Sequence, residues 1–223
     1  MKISLPSVSD FFPFWDKLSD EYRDDMQKNS QPRVFHKGEN ILPFKDECLG
    51  LILVQTGQLR AFILSDTGKE ITLYRLFGFD ICLFSASCIM INIQFDIHLE
   101  AEEETKVLMM PAVLYERLMN QSIQISNFTN ELMSGRFSEV MWKLEQILFK
   151  SMDSRIAHNL LEQSNISGNT DLSITHDAIA KELCTAREVV TRMLKHFSED
   201  GLLALSRGQI CLLDIKRLEQ IAG

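Results

Sequence analysis

The stretch Ile174–Phe197, ITHDAIAKELCTAREVVTRMLKHF, determines the architecture of the C-terminal part of the chain. Thr175 is a favourable helix N-cap, and a second start signal follows, the capping box Thr185-x-x-Glu188. These signals predict two short helices, the second of which runs to about Glu199. Two helices joined by so tight a turn are typical of a helix-turn-helix, which presents its second helix to the major groove of DNA.

The second helix has an apolar stripe and a polar surface. The predicted stripe consists of Val189, Val190, Met193, Leu194 and Phe197. The polar surface consists of Arg187, Glu188, Thr191, Arg192 and Lys195. Arginine can donate two hydrogen bonds to guanine O6 and N7, and glutamate can accept one from cytosine N4. The predicted DNA contacts are this polar surface together with Thr175, His176 and Thr185. The alternative is that Glu188 only completes the capping box and that the arginines form a solvated face.

The segments around this motif complete a winged domain. After the second helix, LLALSRGQICLL (Leu202–Leu213) has two apolar runs around a Ser-Arg-Gly-Gln turn, which predicts a β-hairpin. Upstream, RIAHNLLEQSN predicts a helix that is capped by Asp153 or Ser154, and SNISGNTD (Ser164–Asp171) predicts a loop. The pattern is that of a winged helix-turn-helix.

A long apolar helix precedes this domain. Within ELMSGRFSEVMWKLEQILF (Glu131–Phe149), apolar residues recur at alternating spacings of four and three, as in a coiled coil. That seam comprises Met133, Phe137, Val140, Leu144 and Ile147, and Leu132, Met141 and Leu148 widen it. So wide an apolar face predicts two partners, namely the preceding domain and the same helix of a second subunit. Burial of both faces within one subunit is the alternative.

Residues 33–111 have short β-rich runs separated by glycines at roughly ten-residue spacing, which predicts an antiparallel barrel or sandwich. The run Phe95–Glu102 alternates strictly, so His98, Glu100 and Glu102 are expected on a solvated face. Ahead of these strands, Ser19 is the expected N-cap of a short helix, and an aromatic cluster near residue 12 is expected to pack on the core.

The chain length, the net charge and the number of cysteines restrict the class of protein. The chain of 223 residues has a formal net charge of -8, of which only one unit belongs to residues 167–223. This charge argues against DNA binding along the whole surface, because phosphate contacts need Lys and Arg. Five scattered cysteines predict free thiols and no disulfide framework, and no basic segment followed by an apolar run opens the chain. We expect a cytoplasmic protein with no membrane partner.

In this order of parts the chain resembles the cyclic AMP receptor protein and fumarate-nitrate regulator (CRP/FNR) family of bacterial transcription factors. The resemblance rests on FHKGENI and LVQTGQLRAFILSDTGKEITLYRLFGFD in the barrel and on AREVVTR in the second helix. It implies an α+β protein with a cyclic-nucleotide-binding-like jelly-roll sensor (1–120), a dimerisation helix (121–152) and a winged helix-turn-helix (153–223). It further implies that Arg187, Glu188 and Arg192 read the half-sites of an inverted-repeat operator, and that the protein is not an enzyme.

The sensory half departs from the nucleotide-binding members of that family. Where those members hold the cyclic phosphate with an Arg-Ser or Arg-Thr pair, this chain has Phe95-Asp96. A phenyl ring and a carboxylate cannot replace a phosphate clamp, so cyclic nucleotides are not the expected effector. An iron-sulfur cluster is also not expected, since no cysteine precedes Cys48.

The segment CLFSASC places Cys82 and Cys88 in this region. They are candidates for a thiol redox pair or for ligands of a metal or heme, and the alternative is that both are buried apolar residues. The effector is therefore an unidentified small molecule or redox signal, and RNA polymerase is a candidate partner. Two other classes stay open: a cupin-like metal-binding protein that uses His98, and a cyclic-nucleotide-responsive regulatory subunit.

Overall fold

The computed structural model describes residues 5–41, 49–66, 68, 70–89 and 97–223. It forms two compact units. The first comprises Leu73–Val140 with the segment that ends at Leu64, and the second comprises Ser65–Thr72 with Met141–Gly223. The expected α+β class is confirmed, because sheets dominate the first unit and a helix-turn-helix with a hairpin follows in the second.

The first unit begins with short helices that pack on its sheets. Two 3-10 turns, Val8–Phe11 and Trp15–Lys17, precede helix α1 (Asp20–Asn29). Ser19 caps α1 as predicted, because its hydroxyl accepts a hydrogen bond from the backbone N–H of Tyr22. Phe12 is 1% exposed within the core, so the aromatic cluster packs inward as expected.

Two four-stranded sheets follow, with strand orders β1-β8-β3-β6 and β2-β7-β4-β5. Their strands are β1 (Gln31–Phe35), β2 (Asn40–Ile41), β3 (Leu51–Thr56), β4 (Leu59–Leu64), β5 (Glu70–Leu76), β6 (Ile81–Cys82), β7 (His98–Ala101) and β8 (Thr105–Met110). The side chains of Val54 and Val107 from one sheet share an apolar core with Ala61 and Leu99 from the other. The glycine-punctuated runs therefore form the predicted jelly-roll-like sandwich.

The outer face of β7 is more buried than its alternation predicted. Leu99 and Ala101 lie in the core as expected. Glu100 forms an ion pair with Arg60, and Glu102 forms one with Arg75, while both carboxylate side chains are less than one third exposed. This face is therefore half-buried and not fully solvated, because cross-strand arginines form ion pairs with these carboxylates.

Two helices follow the sheets, α2 (Ala112–Gln121) and α3 (Ile123–Phe149), and the part of α3 after Val140 belongs to the second unit. The side chains of Leu132 and Met133 pack against the core of the first unit, and Val140 packs against the core between the sheets. Other apolar residues of α3 are exposed: Ile123, Phe137, Met141, Trp142, Leu144, Leu148 and Phe149. Within the described residues, no helix combines the length and the apolar character that a membrane crossing requires.

The second unit has helices around a small sheet of order β10-β11-β9. Its elements are α4 (Met152–Ser167), β9 (Asp171–Leu172), α5 (His176–Glu182), α6 (Arg187–Glu199), β10 (Leu203–Ser206), β11 (Gln209–Leu212) and α7 (Ile215–Ala222). The hairpin is confirmed, with Ser206 opposite Gln209.

Two local predictions in this unit were wrong. Ser151, rather than Asp153 or Ser154, caps α4, because its hydroxyl accepts from the N–H of Ser154. Helix α4 also continues to Ser167, through half of the predicted loop, and ends where Gly168 adopts the left-handed conformation (φ 65°). Glycine adopts this conformation without the steric cost of a Cβ atom, so the helix ends at Ser167, two residues after Asn165, where the predicted helix ended.

Candidate nucleic-acid interface

The turn between α5 and α6 determines where the second helix points. Thr175 caps α5 as predicted, since its hydroxyl accepts from the N–H of Ala178 at 3.1 Å. After Leu183 the chain reverses through Cys184, which has a positive φ of 54°. The N–H of Thr185 then donates to the carbonyl of Ala180 at 3.0 Å, which closes the turn.

The predicted capping box is not formed. The N-cap of α6 is Ala186, one residue after Thr185, and no side chain accepts a hydrogen bond there. Glu188 therefore lies at the second position of the helix, where its negative charge interacts favourably with the helix dipole. Within the described part of the chain its exposed carboxylate has no hydrogen-bond or ion-pair partner, so Glu188 does not complete a cap and can accept from a ligand.

The apolar stripe of α6 is buried at three of its five predicted positions, while Val189 and Met193 are half-buried. Val190 and Leu194 are fully buried and Phe197 is 3% exposed, and all three belong to the core of the second unit. The polar residues predicted to contact DNA, namely Arg187, Glu188, Thr191, Arg192 and Lys195, are all exposed. Burial of the stripe thus orients a helix whose opposite surface carries hydrogen-bonding groups.

Two of the predicted contacts meet across the motif. His176, the first residue of α5, lies 2.9 Å from Thr191 of α6, measured from ring Nδ1 to hydroxyl Oγ1. This hydrogen bond joins the beginning of the first helix to the exposed face of the second. Lys195 lies at the other end of that face and pairs loosely with Glu199 at 3.8 Å. The structure thus joins His176 and Thr191 directly, and the other predicted residues stay candidates on α5, α6 and the turn between them.

Two arginines near this turn and the hairpin were not among the predicted contacts. Arg207 lies in the two-residue loop of the hairpin with Gly208, whose φ is 76°, and its side chain is exposed. A basic residue at a predicted wing tip was the signal for it. Arg155 of α4 is 8% exposed and donates a hydrogen bond to the carbonyl of Leu183 in the turn. Arg155 therefore stabilises the turn through this hydrogen bond.

The residues predicted to sense an effector lie in a different chemical environment. Cys82 is 1% exposed, and burial is the main cause that raises the pKa of its thiol. Burial likewise raises the pKa of the neighbouring Tyr74 well above its usual value. A protonated, buried thiol reacts slowly, so in this conformation Cys82 has the properties of a core residue. Phe95, Asp96 and the side chain of Cys88 lie outside the described residues.

Arg136 of α3 connects that helix to the interior of the first unit. Its guanidinium lies 4.8 Å from the ring centre of Tyr74 and forms ion pairs with Asp80 and Glu139. His98, the residue considered for a cupin-like metal site, has its ring stacked on Phe62 at 5.3 Å, and the nearby carboxylates of Glu100 and Glu102 pair with arginines. Among the described residues, no three His, Cys, Asp or Glu side chains cluster as metal ligands do.

Comparison with known proteins agrees with this geometry. The model of the Crp-like helix-turn-helix domain matches residues 154–221. A crystal structure of a Crp/Fnr-family regulator from Eubacterium rectale ATCC 33656 is 49% identical, covers 95% of this chain and 98% of that one, and superposes with a TM-score of 0.91. The cyclic AMP receptor protein of Thermus thermophilus is 26% identical over 94% of this chain and 96% of its own length. The transcriptional activator FnrA of Stutzerimonas stutzeri is 28% identical over 90% of this chain and 83% of its own.

Proposed function

Because this chain belongs to the CRP/FNR family of transcription regulators, we propose that it binds an inverted-repeat operator in double-stranded DNA as a homodimer, with α6 in the major groove. One observation carries the proposal: Arg187, Glu188 and Arg192 are exposed in the N-terminal half of α6 and have no protein partner among the described residues. Unpaired donors and acceptors on one helical face are what base edges require.

The chemistry of these residues suggests a division of roles. Arg187 and Arg192 offer planar guanidinium groups that match guanine O6 and N7, and Glu188 offers an acceptor for the amino group of cytosine. His176 restrains Thr191 through their hydrogen bond, so the Thr191 methyl group is held in place to contact bases or the backbone. Thr175, Thr185, Lys195 and Arg207 are the candidate phosphate contacts.

The homodimer is supported by the unpartnered face of α3. Phe137, Met141, Leu144 and Leu148 recur at spacings of four and three, so they lie on one helical face, and their exposures range from 43% to 66%. Leu132, Met133 and Val140 instead contact the core of the first unit. The two faces of the predicted apolar helix thus have separate roles, one within the subunit and one toward a second copy.

The signal that controls DNA binding is proposed to be something other than a cyclic nucleotide. Tyr74, Cys82 and Leu76 occupy the interior between the sheets, and the ring of Phe84 lies 6.2 Å from that of Tyr74. This apolar environment suits an uncharged or weakly polar effector better than a phosphate, which would lose its hydration without a guanidinium clamp. Arg136, which contacts Tyr74 from α3, is the residue through which an effector would change the helix.

A binding-site selection with the purified protein tests the proposal. We expect wild type to enrich an inverted repeat, and Arg192→Ala to lower affinity for it by about 5- to 150-fold, as the loss of one good base contact does. The Arg192→Ala dimer should remain folded, because Arg192 is exposed and unpaired. Lys216→Ala is the matched control, since it removes an equal charge from an exposed position of α7. Unchanged selectivity of Arg192→Ala would show that another element reads the bases.

A further inference from the structure

A buried ion pair joins the C-terminal part of α3 to the helix-turn-helix. The ammonium group of Lys143 donates a hydrogen bond to the carboxylate of Glu182 at 2.9 Å. Glu182 is 4% exposed and the side chain of Lys143 is 18% exposed, so solvent and salt screen this attraction only weakly. The two residues are 39 positions apart in the chain, and both belong to the second unit. The pair therefore links two helices of one compact unit.

Each residue of the pair lies beside a feature on which DNA binding depends. Lys143 lies in the part of α3 that contributes Met141, Leu144 and Leu148 to the exposed apolar face, and this part belongs to the second unit. Glu182 is the last residue of α5, and the turn that leads into α6 follows it directly. The hydrogen bond thus runs from the proposed dimer seam to the start of the turn that orients α6.

Apolar packing around this pair is incomplete. A cavity of about 30 Å³ separates the side chains there, and its lining includes Trp142 and Ile147 of α3 and Leu183 of the turn, together with the ion pair itself. Atoms that face a void lose dispersion contacts, so apolar packing holds these helices together less firmly at this point. The ion pair adds a directional contact, because hydrogen bonds have angular preferences and apolar contacts do not.

The energetics of buried ion pairs agree with a role in orientation. Removal of two charges from water offsets much of their attraction, so apolar residues of similar size often stabilise a fold equally well. The best-attested use of a buried pair is to select one packing arrangement among several. Burial of Lys143 with Glu182 is therefore better explained by the orientation of α5 on α3 than by stability.

We propose that the ion pair of Lys143 with Glu182 positions α6 relative to the dimer seam, and thereby sets how strictly the protein selects the spacing between half-sites. The inference rests on the proposed function, since it requires a homodimer that reads two half-sites. Both are positioning residues, because neither belongs to the polar surface of α6. Without the pair, α5 and α6 tilt together on α3, while each α6 still fits its own half-site.

A selection from operators whose half-sites are separated by different numbers of base pairs tests the proposal. We expect wild type to bind the best spacing at least about tenfold more tightly than spacings one base pair shorter or longer, which is the scale of one mismatched base pair. In the double variant Lys143→Met with Glu182→Gln, which leaves no unpaired charge, this preference should fall to about threefold or less. The selected half-site sequence and the affinity for an isolated half-site should stay as in wild type.

Further variants separate orientation from a general loss of structure. Lys150→Met, at an exposed position directly after α3, is the matched control and should keep the wild-type spacing preference. The exchange Lys143→Glu with Glu182→Lys should restore the preference, because it rebuilds the pair with opposite polarity. If the neutral double variant does not fold, Lys143→Ala, which admits water to the Glu182 carboxylate, should relax the preference in the same way.

The outcomes distinguish this inference from the proposed function. A folded neutral double variant that keeps the wild-type spacing preference would overturn the inference and leave the proposed function intact. The same holds if the preference relaxes only together with a loss of affinity for the isolated half-site, since the pair would then serve stability and not orientation. Failure of wild type to enrich any inverted repeat would refute the proposed function, and this inference with it.

Discussion

Cys184 adopts a backbone conformation that favours glycine, at the turn on which the orientation of α6 depends. Its φ of 54° lies in the left-handed region, where the Cβ atom of an ordinary residue costs roughly 1–2 kcal/mol. The surrounding structure supports this conformation, because Arg155 holds the carbonyl of Leu183 and Ala180 accepts from Thr185. The turn therefore stores strain that a single substitution can release.

We expect Cys184→Gly to stabilise the protein by about 1 kcal/mol, since glycine adopts a positive φ without the Cβ clash. For a chain of this size that corresponds to a rise in melting temperature of about 2–4 °C. Thermal unfolding followed by circular dichroism measures the change. Cys184→Ala is the control, because alanine removes the thiol but keeps the Cβ atom. Equal stability of the glycine and alanine variants would show that the turn is not strained.

Individual residues also show where sequence reasoning succeeds. The cap at Thr175 depends only on local geometry, and it was predicted. The capping box at Thr185 follows an equally good local pattern, but the left-handed Cys184 shifts the helix start to Ala186, and nothing in the pattern signals that conformation. The contact between Arg155 and Leu183 joins positions that are 28 residues apart, so only the tertiary fold reveals it.

Among the elements, α3 has an apolar face that the subunit itself does not cover. Phe137 is 66% exposed and Leu148 is 62% exposed. Isolated apolar residues on a surface are normal, but a row of them at heptad spacing indicates a helix partner. The proposed homodimer depends on this row.

A charge placed in that row should separate the subunits. We expect Phe137→Glu to convert the dimer to monomer at micromolar concentration, because two carboxylates would face each other in an apolar interface. Sedimentation velocity measures the mass, and operator affinity should fall with it. Ser138→Glu is the matched control, since it adds the same charge one position away from the row. A Phe137→Glu protein that remains dimeric would place the interface elsewhere.

Some helices and strands were predictable from the sequence, and others were not. The amphipathic helices and the glycine-bounded strands were predicted from the spacing of apolar residues, which is a local property of the sequence. The short strand β9 has no such signal, because two residues, Asp171 and Leu172, are too few to show alternation and pair with β11 only in the folded unit. The exposed and buried faces of α3 were both apolar in sequence, so only the structure assigns Val140 to the core and Phe137 to the surface.

For the whole molecule, the class of fold was predictable and the order of the strands was not. Strand β8 lies between β1 and β3 in the first sheet, and β7 lies between β2 and β4 in the second. These pairings join distant parts of the chain, so composition and periodicity do not encode them directly. The chemical environment of Cys82 was also less predictable than the polar surface of α6, because burial, which composition does not show, is what raises the pKa of the Cys82 thiol.

In the proposed homodimer, the separation of the two α6 helices fixes the distance between the two DNA half-sites. We expect half-site centres about 10 base pairs apart, one turn of the double helix. Insertion of 5 base pairs between the half-sites should turn them to opposite faces and reduce the affinity to that of a single half-site. Electrophoretic mobility shift with the selected operator measures this, and the same insertion outside the repeat is the control. Equal affinity for the operators with and without the internal insertion would show that the protein does not bind both half-sites as a rigid dimer.

Residues 167–223, which contain the helix-turn-helix, have no excess of positive over negative charge. This affects how the protein finds its target. Arg187 and Arg192 are separated by Glu188, residues 167–223 carry a net charge of -1, and the remaining -7 belongs to the rest of the chain. Few phosphate contacts mean weak attachment to random DNA and short residence on it. We therefore expect the protein to search a genome mainly by repeated diffusion through solution, with little sliding, and to pause only where both half-sites match.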